Sequence, residues 1–119
     1  MFSRETPVLI QSSGQKEIKE LLFRNGEVEH YLTSKRVISC YISPSHRWFG
    51  WLGLGTVRYF LYEETGTNSG TGIRRKGWTN MREVSAKPEE LYSGDEIIVG
   101  TLDETTSRKY TFILEKQSR

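Results

Sequence analysis

Short runs of alternating apolar and polar residues, separated by polar or glycine-rich breaks, limit the fold of this chain more than any other feature. Three such runs are rich in β-branched and aromatic residues: EHYLTS (29–34), RVISCYIS (36–43) and TVRYFLYEE (56–64). A period of two places every second side chain on the same face of a strand, so Ile38 and Ile42 share one face of the second run. The pattern predicts antiparallel strands that each bury one face.

Two further runs near the C-terminus predict a β-hairpin. EIIVGTLDE (96–104) and SRKYTFILEK (107–116) flank the pair Thr105-Thr106. Two strand-like runs joined by a short break are typical of a hairpin. The apolar residues expected to form a common core with this hairpin are Ile38, Leu61, Ile97, Val99, Phe112 and Leu114.

One segment follows helical spacing instead. In GQKEIKELLFRNG (14–26), the apolar residues Ile18, Leu21 and Leu22 recur at helical intervals, which predicts a helix. The proline and glycine of KPEELYSGD (87–95) suit a single helical turn between strands. Together these elements predict one mainly β domain over residues 1–119, built as a small barrel or as two packed antiparallel sheets. We expect about six or seven strands and one short helix.

Cysteine content and hydropathy limit the cellular compartments in which this chain is expected. Cys40 is the only cysteine among the 119 residues, so no disulfide can form within the chain. This favours a reducing compartment without excluding a cysteine-poor secreted domain. The chain has no run of about 18 apolar residues that could cross a bilayer. We therefore expect a cytoplasmic protein, and peripheral attachment to a membrane remains open.

The residues that could carry catalysis or bind a metal are few and widely spaced. His30 and His46 lie far apart with Cys40 between them, whereas a zinc site needs three or four ligands and usually a close-spaced pair. Cys40 lies in the middle of a predicted strand, where a small buried hydrophobe fits better than a nucleophile. A nucleotide-binding glycine loop requires a helix after it, and the sequence predicts no helix after the glycines of GWLGLG (50–55). We expect a non-catalytic protein without metal or cofactor.

Charge is distributed unevenly along a chain whose net charge is only +2. Between Lys35 and Arg82 there are eight basic and two acidic residues, so the middle of the chain carries +6. This asymmetry favours an anionic partner for the middle, and the alternative is that charges cluster on solvated loops. The residues expected to hold phosphate groups are Arg47, Arg58, Arg74, Arg75 and Lys76.

The same part of the chain is unusually aromatic. HRWFGWLGLGTVR (46–58) combines large apolar side chains with basic ones. Trp and Phe prefer the boundary between lipid headgroups and acyl chains, and each nearby Lys or Arg adds about 1 kcal/mol against an anionic leaflet. The residues expected to anchor the chain at a membrane or a partner are Trp48, Phe49, Trp51 and Leu52. Two alternatives remain: the aromatics close the end of a barrel, or nucleic-acid bases stack on them. The low net charge weakens the nucleic-acid alternative.

One stretch resembles a known family. NGEVEHYLTSKRVISCYI (25–42) is similar to the start of pleckstrin-homology-like domains of the GRAM, bacterial PH and GLUE types, in which a Leu-Thr-x-x-Arg-Leu/Ile-Ile segment crosses between two strands. The matching residues are Leu32, Thr33, Arg36, Val37 and Ile38. Met81 and Val84 fill the positions of an Ile-x-x-Val pair, and the final hairpin resembles the last two strands of these families. The resemblance covers residues 20–116 loosely and implies a small PH-like barrel.

The resemblance implies a binding module rather than an enzyme. Members of these families engage phosphoinositides, other membrane lipids or proteins, and the GLUE type binds both lipid and ubiquitin. A fold alone does not determine the ligand. The expected ligand therefore follows from the basic and aromatic residues in the middle of the chain. We expect a module that binds an anionic membrane lipid with a phosphoinositide-like headgroup. The alternative is a protein-interaction module of a larger complex, with ubiquitin in membrane trafficking as one candidate partner.

The polar break within the first pair of runs has its own prediction. Thr33 and Ser34 are expected in a tight turn between paired antiparallel strands, with Lys35 and Arg36 near one end of the fold. Arg36 is expected to pair with an acidic residue such as Glu29 across the strands, a contact worth roughly 0.2–1 kcal/mol. The alternative is that Lys35 and Arg36 join the phosphate-binding residues in one basic patch.

Overall fold

A computed structural model gives the fold of the chain. The structure describes eight segments: residues 5–13, 16–24, 26–33, 38–49, 54–63, 70–84, 88–100 and 108–116. Within these segments, the side chains of twelve strand residues lie outside the description: residues 5, 13, 38, 39, 46–49, 54–56 and 116.

In the described segments, ten strands form two antiparallel sheets. The six-stranded sheet contains β1 (Glu5–Ser13), β2 (Lys16–Leu21), β6 (Thr71–Arg74), β7 (Arg82–Glu83), β9 (Asp95–Val99) and β10 (Arg108–Lys116), in the order β2-β1-β10-β9-β6-β7. The four-stranded sheet contains β3 (His30–Thr33), β4 (Ile38–Phe49), β5 (Leu54–Glu63) and β8 (Glu89–Leu91), in the order β3-β4-β5-β8. The expectation of a mainly β fold with two packed sheets is confirmed. The closed barrel is wrong, because the strands divide between two separate sheets.

The core lies between the two sheets and follows the predicted alternation. Leu61, Ile97, Val99 and Phe112 are fully buried, as expected, and Leu114 packs against their cluster while partly buried. The side chain of Ile38 lies outside the description, so its burial stays a prediction. Apolar side chains project from both sheets because each strand presents every second residue to the opposite sheet.

Cys40 is fully buried in this core. Burial raises the pKa of its thiol from 9.0 to about 12, although the nearby Thr71 hydroxyl acts in the opposite direction. Desolvation dominates because a thiolate loses its hydration inside an apolar cluster. A thiol that stays protonated at neutral pH is a poor nucleophile. Cys40 therefore behaves as a small core residue, as the alternating pattern predicted.

The two predicted hairpins have the expected antiparallel pairing. In the C-terminal hairpin, Ile97 lies opposite Tyr110, and Asp95 lies opposite Phe112. β3 pairs with β4, although the register shifts after Leu32. The break at residues 34–37 lies outside the described residues, so the turn there and the positions of Lys35 and Arg36 stay predictions.

The helix predicted over residues 14–26 is wrong. Lys16–Leu21 forms β2, an edge strand whose residues are all exposed and which pairs with β1 through Gln11 and Ile18. Ile18 is 55% exposed, so the apolar residues that suggested a helix do not share a buried helical face. Only Leu22, just after the strand, enters the core. Backbone pairing with a long neighbouring strand outweighs weak helical propensity, as tertiary context commonly does.

The helical turn predicted over residues 87–95 is also wrong. β8 occupies part of this segment, and a turn at Tyr92–Asp95 follows it. Gly94 adopts a φ of 97°, a conformation that residues with a side chain rarely adopt. No α-helix occurs among the described segments. None of those segments contains a helix long and apolar enough to span a bilayer.

Candidate functional site

Two of the arginines expected to bind phosphate form ion pairs with neighbouring strands. Arg58 on β5 contacts Glu90 on β8, with its Nη2 2.7 Å from Oε1 and its Nε 2.9 Å from Oε2. Arg74 on β6 binds Glu96 on β9, and Lys109 Nζ approaches the same carboxylate at 2.9 Å. Partial burial raises the pKa of Glu96, but hydrogen bonds from Lys109 and Arg74 outweigh it and hold that pKa below its usual value.

Arg75 is held more firmly still. Its guanidinium binds the carboxylate of Asp95, donates a 2.5 Å hydrogen bond to the backbone carbonyl of Glu90 and lies 3.2 Å from Glu89 Oε2. The Asp95 side chain is 2% exposed and also accepts a 2.8 Å hydrogen bond from the Tyr92 amide. A guanidinium engaged by two carboxylates has little capacity left for a phosphate. Arg75 therefore fixes the turn before β9.

The remaining expected site residues fall into two groups. Lys76 is exposed, and no ion pair joins it to any carboxylate in the part of the chain that the structure describes. The side chains of Arg47, Trp48 and Phe49 lie outside the description, as do Trp51 and Leu52 entirely. The backbones of β4 and β5 pair as far as Phe49, which lies opposite Leu54, and residues 50–53 lie outside the description. Partner contacts by these residues stay predictions.

A different cationic residue lies at the opposite end of the sandwich. Arg108, at the start of β10, crosses from the six-stranded to the four-stranded sheet, where its Nη1 lies 3.4 Å from the Thr33 hydroxyl. Beside it, the Tyr110 hydroxyl donates a 3.1 Å hydrogen bond to the Thr33 carbonyl. Gly100 lies beyond the β9 residue that pairs with Arg108, and its amide donates a 2.9 Å hydrogen bond to Gly70. We call Thr33, Gly70, Gly100 and Arg108 the Arg108 end.

The two glycines of the Arg108 end shape its backbone. Gly70 and Gly100 have φ values of 78° and 84°, which residues with a Cβ rarely adopt. Gly70 precedes β6 and Gly100 follows β9, so both sheet strands change direction at the same level. The bond between them joins the two bends. The Arg108 end therefore lies where β6 and β10 begin and where β3 and β9 end, and such ends of β-sandwiches commonly carry binding residues.

Arg108 differs from the other part-buried arginines in what it contacts. Arg58, Arg74 and Arg75 each bind at least one carboxylate. Among the residues that the structure describes, no carboxylate pairs with Arg108, and its hydrogen bond goes to an uncharged hydroxyl. A guanidinium has five donors, so most of its bonding capacity remains for an anion. Because no carboxylate of the described segments pairs with it, Arg108 is the strongest candidate for contact with an anionic ligand.

The described residues contain no group of three or more His, Cys, Asp or Glu side chains arranged to hold a metal ion. His30 instead lies 3.7 Å from Glu20 across the edge of the sandwich.

The arrangement at the Arg108 end, with a cation, a hydroxyl and two fixed backbone bends, suits binding of an anion.

Comparison with solved structures identifies the fold type. The chain is similar to the yeast Dun1 FHA domain, solved by NMR in complex with a doubly phosphorylated (pT) peptide derived from Rad53 SCD1, with a TM-score of 0.63. The match covers 98% of this chain and 79% of that one at 16% sequence identity, which shows a shared fold. No family model matches the sequence, and no curated protein matches it.

This likeness corrects the expected family. The pleckstrin-homology-like assignment is wrong, because the fold is that of an FHA domain, a sandwich of antiparallel sheets. The expected lipid-binding function is not supported by this fold. Neither is the expected peripheral attachment to a membrane. The structure adds a reason, because Arg58, Arg74 and Arg75 bind carboxylates of the same chain. The alternative of a protein-interaction module agrees better with the structural neighbour.

Sequence reasoning missed Arg108 for an identifiable reason. A count of charges along the chain favoured the middle segment, where basic residues are dense, and placed Arg108 in the acidic remainder. A usable signal was present, since Arg108 follows a polar break at the start of a strong strand pattern. That position puts a side chain at the end of a sheet, although it does not identify the strand that lies opposite.

Proposed function

We propose that this chain is a non-catalytic protein-interaction module that binds a phosphorylated segment of a partner protein at the Arg108 end. The observation that carries the proposal is the part-buried guanidinium of Arg108, which contacts the Thr33 hydroxyl and pairs with no carboxylate in the described segments. The likeness to an FHA domain solved with a phosphorylated peptide supports the same ligand class.

The chemistry of a phosphorylated side chain matches what the Arg108 end offers. A phosphate ester carries about −1.5 to −2 charges at neutral pH and three strong acceptor oxygens. A guanidinium can donate two parallel hydrogen bonds to such a group, and the Thr33 hydroxyl lies close enough to add a third. The contact of 3.4 Å between Arg108 and Thr33 is long, so exchanging it for a bond to phosphate sacrifices little.

The base of the Arg108 end is already ordered. Tyr110 fixes the Thr33 backbone from the opposite sheet, and the bond from Gly100 to Gly70 joins two strand ends. A site on such a base needs little reorganisation on binding, which preserves affinity. Recognition of a phosphorylated segment by arginine is also an established mode of peptide binding.

Fluorescence anisotropy with synthetic peptides tests the proposal. The probe is a pool of peptides with a central phosphothreonine and randomised flanks, compared with the same pool carrying threonine. We expect the phosphorylated pool to bind at least tenfold more tightly, with the preference lost in Arg108→Ala and partly retained in Arg108→Lys. Arg24→Ala is the matched control, since Arg24 is exposed and lies outside the Arg108 end.

Two results would contradict the proposal. One is equal binding of the phosphorylated and unphosphorylated pools by the wild-type chain. The other is an undiminished phosphate preference in Arg108→Ala, which would place the site elsewhere. Thermal melting of each variant separates loss of binding from loss of folding.

A further inference from the structure

A second surface lies at the other end of the sandwich and has no part in the proposed phosphate site. Three large side chains there are about half exposed: Trp78 at 46%, Met81 at 42% and Tyr92 at 54%. Trp78 and Met81 belong to the connection between β6 and β7, and Tyr92 belongs to the turn between β8 and β9. We call these three residues the Trp78 face.

Both aromatic rings of the Trp78 face are held by arginines. The guanidinium carbon of Arg82 lies 5.7 Å from the centre of the Trp78 ring, and that of Arg75 lies 5.3 Å from the centre of the Tyr92 ring. These distances are within the range of cation–π attraction. Each contact favours one orientation of its ring.

One carboxylate links the two arginines. Glu89 Oε2 lies 2.8 Å from Arg82 Nη2 and 3.2 Å from Arg75 Nη2. The sequence of contacts runs from Tyr92 through Arg75, Glu89 and Arg82 to Trp78, so the two rings flank a single connected network. Because these contacts restrict the rings, binding to them should cost less side-chain entropy than binding to unrestrained side chains.

Met81 completes the apolar part of the surface. Its side chain lies directly over the backbone at Gly72, where an added Cβ would come within 2.1 Å of the Met81 sulfur. Trp78 and Met81 both line an open depression of about 420 Å³ formed by residues 77–82. Trp, Tyr, Met and Arg are the residue types enriched where protein interfaces concentrate their binding energy.

The charges around the Trp78 face indicate the chemistry of the partner. Arg75, Lys76 and Arg82 supply three positive charges, while Glu89 and Asp95 supply two negative ones. Lys76 is exposed and forms no ion pair with any described residue, and the Arg82 side chain is 51% exposed. The rim of the surface is therefore positive, which favours a partner whose own rim carries Asp or Glu.

We propose that the Trp78 face docks an acidic peptide segment of a partner protein, with an aromatic or large aliphatic side chain of that segment seated between Trp78 and Met81. Lys76 and Arg82 then pair with the acidic residues that flank the anchor. This site is distinct from the Arg108 end and needs no phosphate. The chain would thereby contact two segments, or two partners, from opposite ends.

Selection from a displayed library of random twelve-residue peptides against the full chain tests this inference. We expect the enriched clones to combine an aromatic or large aliphatic residue with several Asp or Glu residues. Trp78→Ala and Met81→Lys should each weaken these clones at least tenfold, and Lys76→Glu at least threefold. Tyr31→Ala is the matched control, since Tyr31 is 45% exposed on the four-stranded sheet and should leave affinity unchanged.

Three outcomes would overturn the inference: no enrichment, enrichment of basic clones, or clones that bind Trp78→Ala and Met81→Lys as tightly as the wild-type chain. Because Met81 is exposed on a connecting segment, Met81→Lys keeps the test valid even if Trp78→Ala unfolds. Arg108→Ala separates the two proposals. It should abolish the preference for phosphorylated peptides and leave the acidic clones bound.

Discussion

The hydroxyl of Tyr110 on the six-stranded sheet donates a 3.1 Å hydrogen bond to the backbone carbonyl of Thr33 on the four-stranded sheet. The two residues are 77 positions apart in sequence, and Tyr110 is only 6% exposed. The bond therefore fastens the edge strand β3 to the opposite sheet at the level of Arg108. Thr33 is half-buried, so its carbonyl can recover part of the lost bonding from water, and the bond should contribute as much as an average hydrogen bond.

Tyr110→Phe should destabilise the chain by about 0.5–1.5 kcal/mol, because the ring remains packed while the half-buried Thr33 carbonyl loses its donor. Urea unfolding measures the change. Tyr92→Phe is the control: Tyr92 is 54% exposed, so loss of its hydroxyl should change stability by less than about 0.5 kcal/mol. Equal effects of the two substitutions would mean that the bond between the sheets contributes nothing.

Phe112→Ala should cost about 3–5 kcal/mol in urea unfolding, because Phe112 is fully buried between the sheets and its removal leaves a cavity. The Phe112 ring lies 5.6 Å from that of Tyr59 on the opposite sheet, so the substitution removes a contact between sheets as well as volume. Val28→Ala, at a residue that is 69% exposed, should be nearly neutral. A loss below about 1 kcal/mol at Phe112 would place its ring outside the core.

Strand existence and core membership were readable from the sequence, because alternation records which face of a strand is buried. The buried residues Leu61, Ile97, Val99 and Phe112 follow from that pattern alone. The edge strand β2 was not readable. Its exposure on both faces removes the alternation, and the helical spacing of Ile18 and Leu22 then misled the assignment.

The family and the site were harder to predict for a different physical reason. A Leu-Thr-x-x-Arg segment describes any two strands joined by a polar break, and it does not specify how the sheets are ordered. Charge counts likewise ignore pairing between distant residues. Arg58 and Glu90 are 32 positions apart, and Arg75 and Asp95 are 20 apart, so their contacts follow only from strand order.

The thiol of Cys40 should make stability depend on alkaline pH. Burial raises its folded-state pKa to about 12 from an ordinary value of 9.0. The unfolded chain therefore releases this proton first, and stability is complete below about pH 9 and declines as pH rises towards 12. Between pH 8 and pH 10.5 the loss from this group should be about 2 kcal/mol.

Urea unfolding of the wild-type chain and of Cys40→Ala at the two pH values isolates this contribution, since other titrating groups are common to both proteins. The wild-type chain should lose about 2 kcal/mol more than Cys40→Ala across the interval. Reaction with a thiol reagent gives a second check, because Cys40 should react slowly in the native state and rapidly in urea. Equal pH dependence of the two proteins would show that the thiol titrates normally.

Arg75 and Arg58 provide a matched pair of substitutions that separates a structural arginine from a surface one. Arg75→Ala should destabilise the chain by about 3–5 kcal/mol, because it leaves the carboxylate of Asp95, which is 2% exposed, without its cationic partner. Arg58→Ala should cost no more than about 1 kcal/mol, because the Arg58 side chain is 37% exposed and solvent screens its pairing with Glu90.

Urea unfolding of both variants gives the comparison, and Asp95→Asn in the Arg75→Ala background supplies the decisive control. If the buried charge causes the loss, neutralising Asp95 should recover part of it. A cost for Arg75→Ala no greater than that for Arg58→Ala would show that Arg75 does not hold the turn, and would return it to the residues available for binding an anion.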